Sequence, residues 1–394
     1  MDNILTVKQE GKESSKALMS ILVSRLDGER YVAGIKKKDL ATHWGVVPSV
    51  VTDVFKGRIQ MSFCYLSRMH DLLKKGNESK ANDIAHYIKA AKLENLQETM
   101  EYLSLSGEFN TLEKVVEKVK EKGNIEWAEV YELLSKRYTS KSDYVELYKQ
   151  IKAKEKQVKS LEMSILIELI LCQALYQCGN YTLLSDRLKD IKNNINTIQN
   201  KYIKKTFKIR LHDAIGVIAL QRGEVQKSRK SCLEVLKASE SDTTYKIAEI
   251  TSLGKLGESY IFEDYEVAKN YLETAISKIG VLSSCVGLER KKKQINNTLN
   301  FLKVYHWKDI ERLEEKLTGM ELALFLVKKG DVKGAERVLL DLETKNGKLS
   351  DLQMFVLALA RNSNKDLLKK SLAMCEENGN IFYSFLPKKE LGLI

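Results

Sequence analysis

The sequence predicts an all-α protein in two parts, a small N-terminal bundle followed by a long array of helix pairs. Three observations carry this. Only two prolines, Pro48 and Pro387, occur in 394 residues, and stretches rich in Leu, Lys, Glu, Ala and Ile run between sparse glycines, the composition of helices. Turn signals lie too far apart for a β-sandwich or propeller, which needs one roughly every ten residues. Hydrophobic residues at 43% and charged ones at 30% describe a chain able to bury a core, and the length allows two or three domains.

The N-terminal part, about residues 1–75, carries thirteen Lys/Arg against eight Asp/Glu, a net +5 of the overall +12, and favours a polyanionic partner. Its most informative stretch is LATHWGVVPSVVTDVFKGR, Leu40 to Arg58. Lys37 to Trp44 reads as a first helix with Leu40, Ala41 and Trp44 facing inward. Ala41 lets a second helix approach, Gly45 supplies a left-handed turn, and Val46 fills the crossing. Pro48 opens the second helix at no hydrogen-bond cost, Val51, Val54 and Phe55 form its apolar stripe, and Gly57 ends it. Ser49, Val50, Thr52, Asp53 and Lys56 remain outward, short or polar groups suited to base edges in a major groove. Lys36, Lys37 and Lys38 before the motif, with Lys56 and Arg58 after it, are placed to meet phosphates. Asp53 is a departure, a carboxylate that repels phosphate or accepts from a cytosine amino group. The stretch resembles the helix–turn–helix of phage repressors.

Lys74-Lys75-Gly76-Asn77 reads as a linker, giving a DNA-binding domain over 1–75 and a second domain over 79–394. From Ser79 onward amphipathic segments alternate with Gly, Asn or Asp punctuation. Helix pairs with a tight polar turn read from Ala174 across Gly179-Asn180, from Ala214 across Gly223, and from Leu322 across Gly330-Asp331. A fourth pair, from Gly254, turns at Glu263-Asp264. Pairs whose apolar faces cannot be buried alone must stack, the logic of an α-solenoid. Gly257, Tyr260 and Ala268 echo the tetratricopeptide pattern, but spacings of 44 and 41 residues exceed its period of roughly 34, so the array reads as degenerate.

No nucleotide-binding, hydrolase or metalloprotease motif occurs, and neither cofactor nor metal is expected. The histidines are scattered, and His212 and Asp213, adjacent on a helix, point too far apart to form a dyad. Cys64, Cys172, Cys178, Cys232, Cys285 and Cys375 form no C-x-x-C pair and read as reduced core thiols. The opening residues lack a signal peptide's apolar region, and Met163 to Leu175, the most apolar run, is too short to span a membrane and contains Glu168. A cytoplasmic protein without a membrane partner is expected.

The concave face of such an array suits an extended peptide gripped by side-chain amides. Asn296, Asn297 and Asn300 sit beside Phe301, so an amide could clamp a ligand while the ring fills a pocket; Gln221-Arg222 and Lys255 with Glu258 are further candidates.

A basic helix–turn–helix joined to this array resembles the peptide-pheromone receptors of Gram-positive bacteria and their phages, the Rap/Rgg/NprR/PlcR/PrgX superfamily, and within it the arbitrium-receptor (AimR) family of Bacillus phages. The stretches carrying the likeness are GKLGESYIFEDYEVAKNYLETA from Gly254, KKGDVKGAERVLLDLE from Lys328 and ENGNIFYSFLPKKELGLI from Glu377. The resemblance implies a homodimer that binds a double-stranded DNA operator through its N-terminal domain and a communication peptide of about six residues in its array. In that family the free receptor activates transcription of a regulatory RNA locus, and the peptide switches it off, favouring lysogeny. Carried over, the family's groove positions fall on Gln221, Phe301 and Asn380. Others depart: a groove asparagine is Val217, another is Glu258, and the arginine that pairs with the peptide carboxylate falls at Ile247, beside Lys246. Leu391, Leu393 and Ile394 resemble the family's apolar dimer-contact tail. The rival expectation is a Rap-like scaffold that regulates a protein partner, in which replacing Ser49 and Lys56 would leave function intact.

Overall fold

The structure, a computed structural model, describes residues 2–141, 144–177 and 184–394, with side chains for 15–141, 145–175 and 187–394. Cys178 and the Gly179-Asn180 turn therefore lie outside the described residues. Among those described, all regular secondary structure is helical. The chain forms two compact units, Met1–Ser104 with Glu108–Ser135, and Leu105–Gly107 with Lys136–Ile394.

The first unit contains α1 (Asp2–Val32), α2 (Lys37–Trp44), α3 (Pro48–Phe55), α4 (Phe63–Leu72), α5 (Asn77–Ala90), most of α6 (Leu93–Ser106), α7 (Phe109–Glu121) and all but the last turn of α8 (Ile125–Thr139). The break at Lys74–Asn77, read from sequence as a domain boundary, is the turn between α4 and α5 inside this unit. The reason is Asp83. Its fully buried carboxylate on α5 pairs with Arg25 of α1, lies 3.0 Å from His70 Nε2 of α4 and accepts from Lys75 Nζ at 2.7 Å. Lys75 reaches on to Glu29 at 2.6 Å. Burial alone would raise the Asp83 pKa, but hydrogen bonds from His70 and Lys75 and the charges of Lys75 and Arg25 outweigh it and hold the carboxyl down at about 2. One residue ties three helices and a turn together.

The second unit runs through α9 (Tyr144–Glu155), α10 (Leu161–Gln177), α11 (Leu184–Ile195), α12 (Lys201–Gln221), α13 (Val225–Ser241), α14 (Lys246–Ser259) and α15 (Tyr265–Gly280). It continues through α16 (Val286–His306), α17 (Gly319–Lys329), α18 (Val332–Asn346), α19 (Asp351–Ala360), α20 (Lys365–Asn378) and α21 (Phe385–Glu390). Each of these helices packs on the next, and α10 with α12, α12 with α14, and α17 with α19 also pack two apart, the neighbour pattern of a solenoid. The turns follow local chemistry. Gly223 and Gly330 adopt φ of 73° and 90°, which only glycine takes without strain. Asp264 and Asp331 cap α15 and α18 by accepting backbone N–H bonds from Val267 at 3.1 Å and Gly334 at 2.9 Å. Gly257 on α14 meets α15 so closely that a Cβ there would sit 2.9 Å from the Ala268 carbonyl oxygen, which explains the small-residue pair seen in the sequence.

Beyond α20 the chain folds back onto the array. The Phe382 N–H donates to the Gln221 carbonyl at 3.1 Å, the Tyr383 hydroxyl donates to Glu258 at 3.0 Å, and the Phe385 ring stacks 4.6 Å from Phe262.

Replacing Asp83 by Asn should leave Arg25 and Lys75 without their buried counter-charge and destabilise the first unit by about 3 kcal/mol, measured by chemical denaturation. Because the Asp83 carboxyl is depressed, its contribution is full above the ordinary carboxylate range and is lost as pH falls from about 4 through about 2; a pH series on wild type should show that loss and the variant should not.

Candidate functional site

Two places in the molecule gather functional chemistry. In the first unit, α2 and α3 are eight-residue helices joined by a tight turn, with Gly45 at φ 70° and the Val46 N–H returning to the Ala41 carbonyl at 3.0 Å. Leu40, Ala41, Trp44, Val51 and Val54 are buried as the spacing predicts. The Trp44 ring lies parallel to Tyr65 at 4.5 Å, and Arg68 of α4 donates to the Trp44 carbonyl at 2.7 Å, so α4 fixes the hairpin from behind. His43 also bonds backward, to the Arg68 carbonyl at 3.1 Å.

The free side of α3 presents Ser49 fully and Val50, Thr52 and Asp53 in part, with Lys56 and Arg58 exposed at its end. The Thr52 hydroxyl donates to the Pro48 carbonyl at 3.1 Å. Arg58 Nη1 lies 3.1 Å from Asp53, so the carboxylate that seemed adverse to a polyanion carries its own counter-charge. Lys38 is exposed, whereas Lys37 turns inward, 3.8 Å from Asp27 and 5.4 Å above the Phe55 ring.

In the second unit, α10, α12, α14, α16, Leu272 of α15 and the last turn of α8 line a half-open cavity of roughly 370 Å³. Its wall is unusual in charge. Arg137 enters from α8, Asp213 from α12, Lys255 and Glu258 from α14, and Lys291 from α16. Lys255 pairs with Glu258, Arg137 donates to Gln173, and Lys291 Nζ donates to Thr251 Oγ1 at 2.6 Å. Asp213 Oδ1 is buried without a hydrogen-bond partner among the described residues. Burial pushes the Asp213 carboxyl up to about 6 against the cations of Lys291, Arg137, Arg210 and Lys255. Burial likewise pushes the Lys291 ammonium down to about 8; the Asp213 charge opposes this, and Arg137 and Lys255 add to it. Gly287 makes the enclosure: a Cβ there would meet the Tyr138 Cα at 2.6 Å, so the start of α16 lies directly on backbone.

Of the array residues expected from sequence, Lys255, Glu258 and Asn297 line this cavity, as does Val217. The others lie outside its lining. Phe301 is buried against the rings of Tyr305 at 5.9 Å and Tyr383 at 6.1 Å, so its place is already filled by the protein. Gln221 and Asn380 are buried, the first accepting from Phe382 through its carbonyl, the second donating to Asp351 at 2.9 Å. Asn300 and Lys246 are half-buried, and Ile247 is buried against the space above Gly107. Leu391 is half-buried, while Leu393 and Ile394 stand exposed at 62% and 66%. Cys172, Cys232 and Cys375 are buried free thiols pushed up to about 12 by burial; Cys64 and Cys285 are half-buried. Sequence reading missed Arg137, Lys291 and the role of Asp213. The available signal was an acidic residue set within the apolar run of α12.

Residues 80–392 match the AimR transcriptional regulator-like family, most of the chain. The chain belongs to the AimR family. This is a family of transcriptional regulators, not enzymes. Among curated proteins, an uncharacterized protein of Bacillus anthracis is 27% identical over 238 residues, covering 60% of this chain and 87% of that protein. Two solved structures share the fold. Ligand-bound phAimR superposes with a TM-score of 0.67 at 16% identity, covering 85% of this chain and 98% of that one. The selenomethionine form of phAimR gives 0.62 at 17% identity, covering 94% and 96%. The AimR match begins at residue 80, beyond α2 and α3.

Replacing Gly287 by Val should push α16 off Tyr138, cost about 1–3 kcal/mol through overpacking and open the cavity. Lysine side-chain NMR should then show the Lys291 titration moving from about 8 back toward its ordinary 10.5.

Proposed function

We propose that this AimR-family protein is a peptide-responsive DNA-binding regulator, in which α3 reads an operator and the cavity of the second unit receives a short communication peptide of about six residues that switches DNA binding off. The observation that carries the reading is the charged, half-open cavity in an AimR-family array: its size falls in the range of small-ligand sites, and its polar groups converge from five helices. That phAimR has been solved with a ligand supports a binding role for this fold. The motif geometry supports the DNA half. Helix α3 leaves short side chains outward, and Lys56 and Arg58 follow at its end.

Operators read by such motifs are commonly twofold, and a homodimer joined through Leu391, Leu393 and Ile394 supplies the matching symmetry. The exposure of Leu393 and Ile394 supports that contact, since apolar ends gain by mutual burial. In this reading the arbitrium-type decision between lysis and lysogeny follows from peptide-dependent loss of DNA binding, through a change in the spacing of the two DNA-reading heads.

Gel mobility on the DNA flanking the gene should give a specific shift that the cognate peptide, encoded at the end of an adjacent small reading frame, abolishes. Lys56→Ala should weaken binding on all sequences and lower the salt slope by about 1, while Ser49→Ala should change sequence preference. A protein that shifts no duplex, or whose activity ignores both substitutions, would instead be the scaffold that holds a protein partner. Leu393→Asp with Ile394→Asp should convert a dimer to a monomer in sedimentation and reduce operator affinity.

A further inference from the structure

The corner of the second unit where the ends of α16 and α17 meet α21 carries a chemistry of its own. Helix α16 ends on Trp307, whose φ of 55° is left-handed. The left-handed ends of α2, α17, α18 and α20 are glycines, which take that conformation without the Cβ clash a bulky side chain suffers. At α16 the chain accepts the strain and holds an indole there, with 40% of its surface open to solvent. The Phe325 ring of α17 stacks on it at 5.3 Å and 27°. A strained, exposed aromatic kept in place by its neighbours is the kind of outlier that marks a site of use.

Beside it two ammonium groups converge on Tyr305. Lys328 Nζ donates to the Tyr305 carbonyl at 2.6 Å and lies 6.0 Å from the Trp307 ring centre. Lys389 Nζ lies 3.5 Å from the Tyr305 hydroxyl and 5.9 Å from the centre of its ring. The acids of this corner are engaged elsewhere. Asp309 pairs with Lys269 and accepts from the Tyr265 hydroxyl at 2.8 Å, Glu314 pairs with Lys329 at 2.7 Å, and Glu376 lies 3.8 Å from Lys388. Among the described residues, neither Lys328 nor Lys389 has a carboxylate within ion-pair distance. Partial burial pushes the Lys328 ammonium down from its ordinary pKa, and the charge of Lys389 adds to this. An anion brought to the pair relieves that repulsion.

A simple anion needs only the lysines, and an apolar ligand needs only the indole. A nucleotide uses both, with a flat base for the ring and a phosphate for the ammonium groups. We infer that this corner binds a nucleotide unit, its base stacked on Trp307 and its phosphate held by Lys328 and Lys389. The site is separate from the operator-reading surface of α3 and from the cavity, and its role goes beyond both. Every base has a flat face and lysine meets phosphate as a point charge, so the site should discriminate little among bases. A free nucleotide and a single strand of nucleic acid offer the same chemistry.

The test uses the full chain and four probes: adenosine monophosphate, a short fluorescein-labelled oligoadenylate, inorganic phosphate and oligoglutamate. Binding is followed by tryptophan fluorescence and by anisotropy. The base-bearing probes should quench tryptophan fluorescence and bind more tightly than phosphate, and Trp307→Gly should remove both effects. Lys389→Gln should weaken oligoadenylate binding severalfold and lower its salt slope by about 0.7, with operator binding unchanged. Lys389 is exposed, so this variant keeps the test intact if Trp307→Gly fails to fold. Quenching by the monophosphate assigns the free nucleotide as sufficient; oligoadenylate binding alone, lost in the same variants, assigns a single strand. Phosphate binding as tightly as the monophosphate would overturn the inference, because no base is then read. Oligoadenylate binding that ignores both variants would overturn it and place single-strand contact elsewhere in the chain. Oligoglutamate binding more tightly than oligoadenylate would overturn it in favour of an acidic protein partner, and failure of every probe to bind would overturn it outright.

Discussion

The cavity depends on the contact between Gly287 and the backbone of Tyr138. With no side chain at 287, the first turn of α16 rests against the end of α8, where any Cβ would collide with the Tyr138 Cα at 2.6 Å. Lys291 follows one turn later on the same face of α16, and Arg137 precedes Tyr138 in α8. The closeness of two backbones therefore sets the closeness of two cations. Gly254 on α14 plays a lesser part, admitting the Ile295 side chain of α16 at 3.4 Å. Solenoid helices stack through such small residues, and here the stacking distance becomes the dimension of a cavity.

Two buried acids show how differently one residue type can be used. Asp83 is surrounded by an arginine, a histidine and a lysine that bond to it directly, and its carboxyl is held at about 2. Asp213 has cations nearby, but its Oδ1 takes no hydrogen bond among the described residues, and its carboxyl rises to about 6. The first is a complete network, whose members hold one another in place. The second is an acceptor left open in a cavity. Satisfaction of hydrogen bonds, more than burial or charge, separates a residue that holds the fold together from one that leaves an acceptor open.

The parts of this protein legible in sequence were those written over short distances. The ends of α2, the Gly45 turn and Pro48 at the head of α3 follow from chemistry within a few residues, as do the turns at Gly223 and Gly330. The cavity was only partly legible because its wall is assembled from α8 to α16. Asn297 stands out by its amide spacing beside Phe301, and Lys255 with Glu258 by their place on a long array helix, while Arg137 and Lys291 lie in basic stretches that give no cue to a cavity. Gly287 had no turn to announce it. The polar run at Lys74–Asn77 has the composition of a linker, and only the burial of Asp83, eight residues after Lys75, shows that the chain stays within one unit. Around Phe301 the returning C-terminal segment supplies the neighbouring Tyr383 ring, and the Asn380 amide donates to Asp351, contacts that neighbouring residues in sequence do not announce.

That returning segment also orders events in time. Tyr383 donates to Glu258 across a separation of 125 positions in the chain, and Phe382 bonds back to Gln221. Contacts so distant in sequence form late, after the local helix pairs have condensed. A chain emerging from the ribosome N-terminus first completes the motif-bearing unit long before the cavity wall receives its last hydrogen bond. The newborn protein thus acquires the helices of its first unit before it acquires a finished cavity, and translation itself sets the interval between the two.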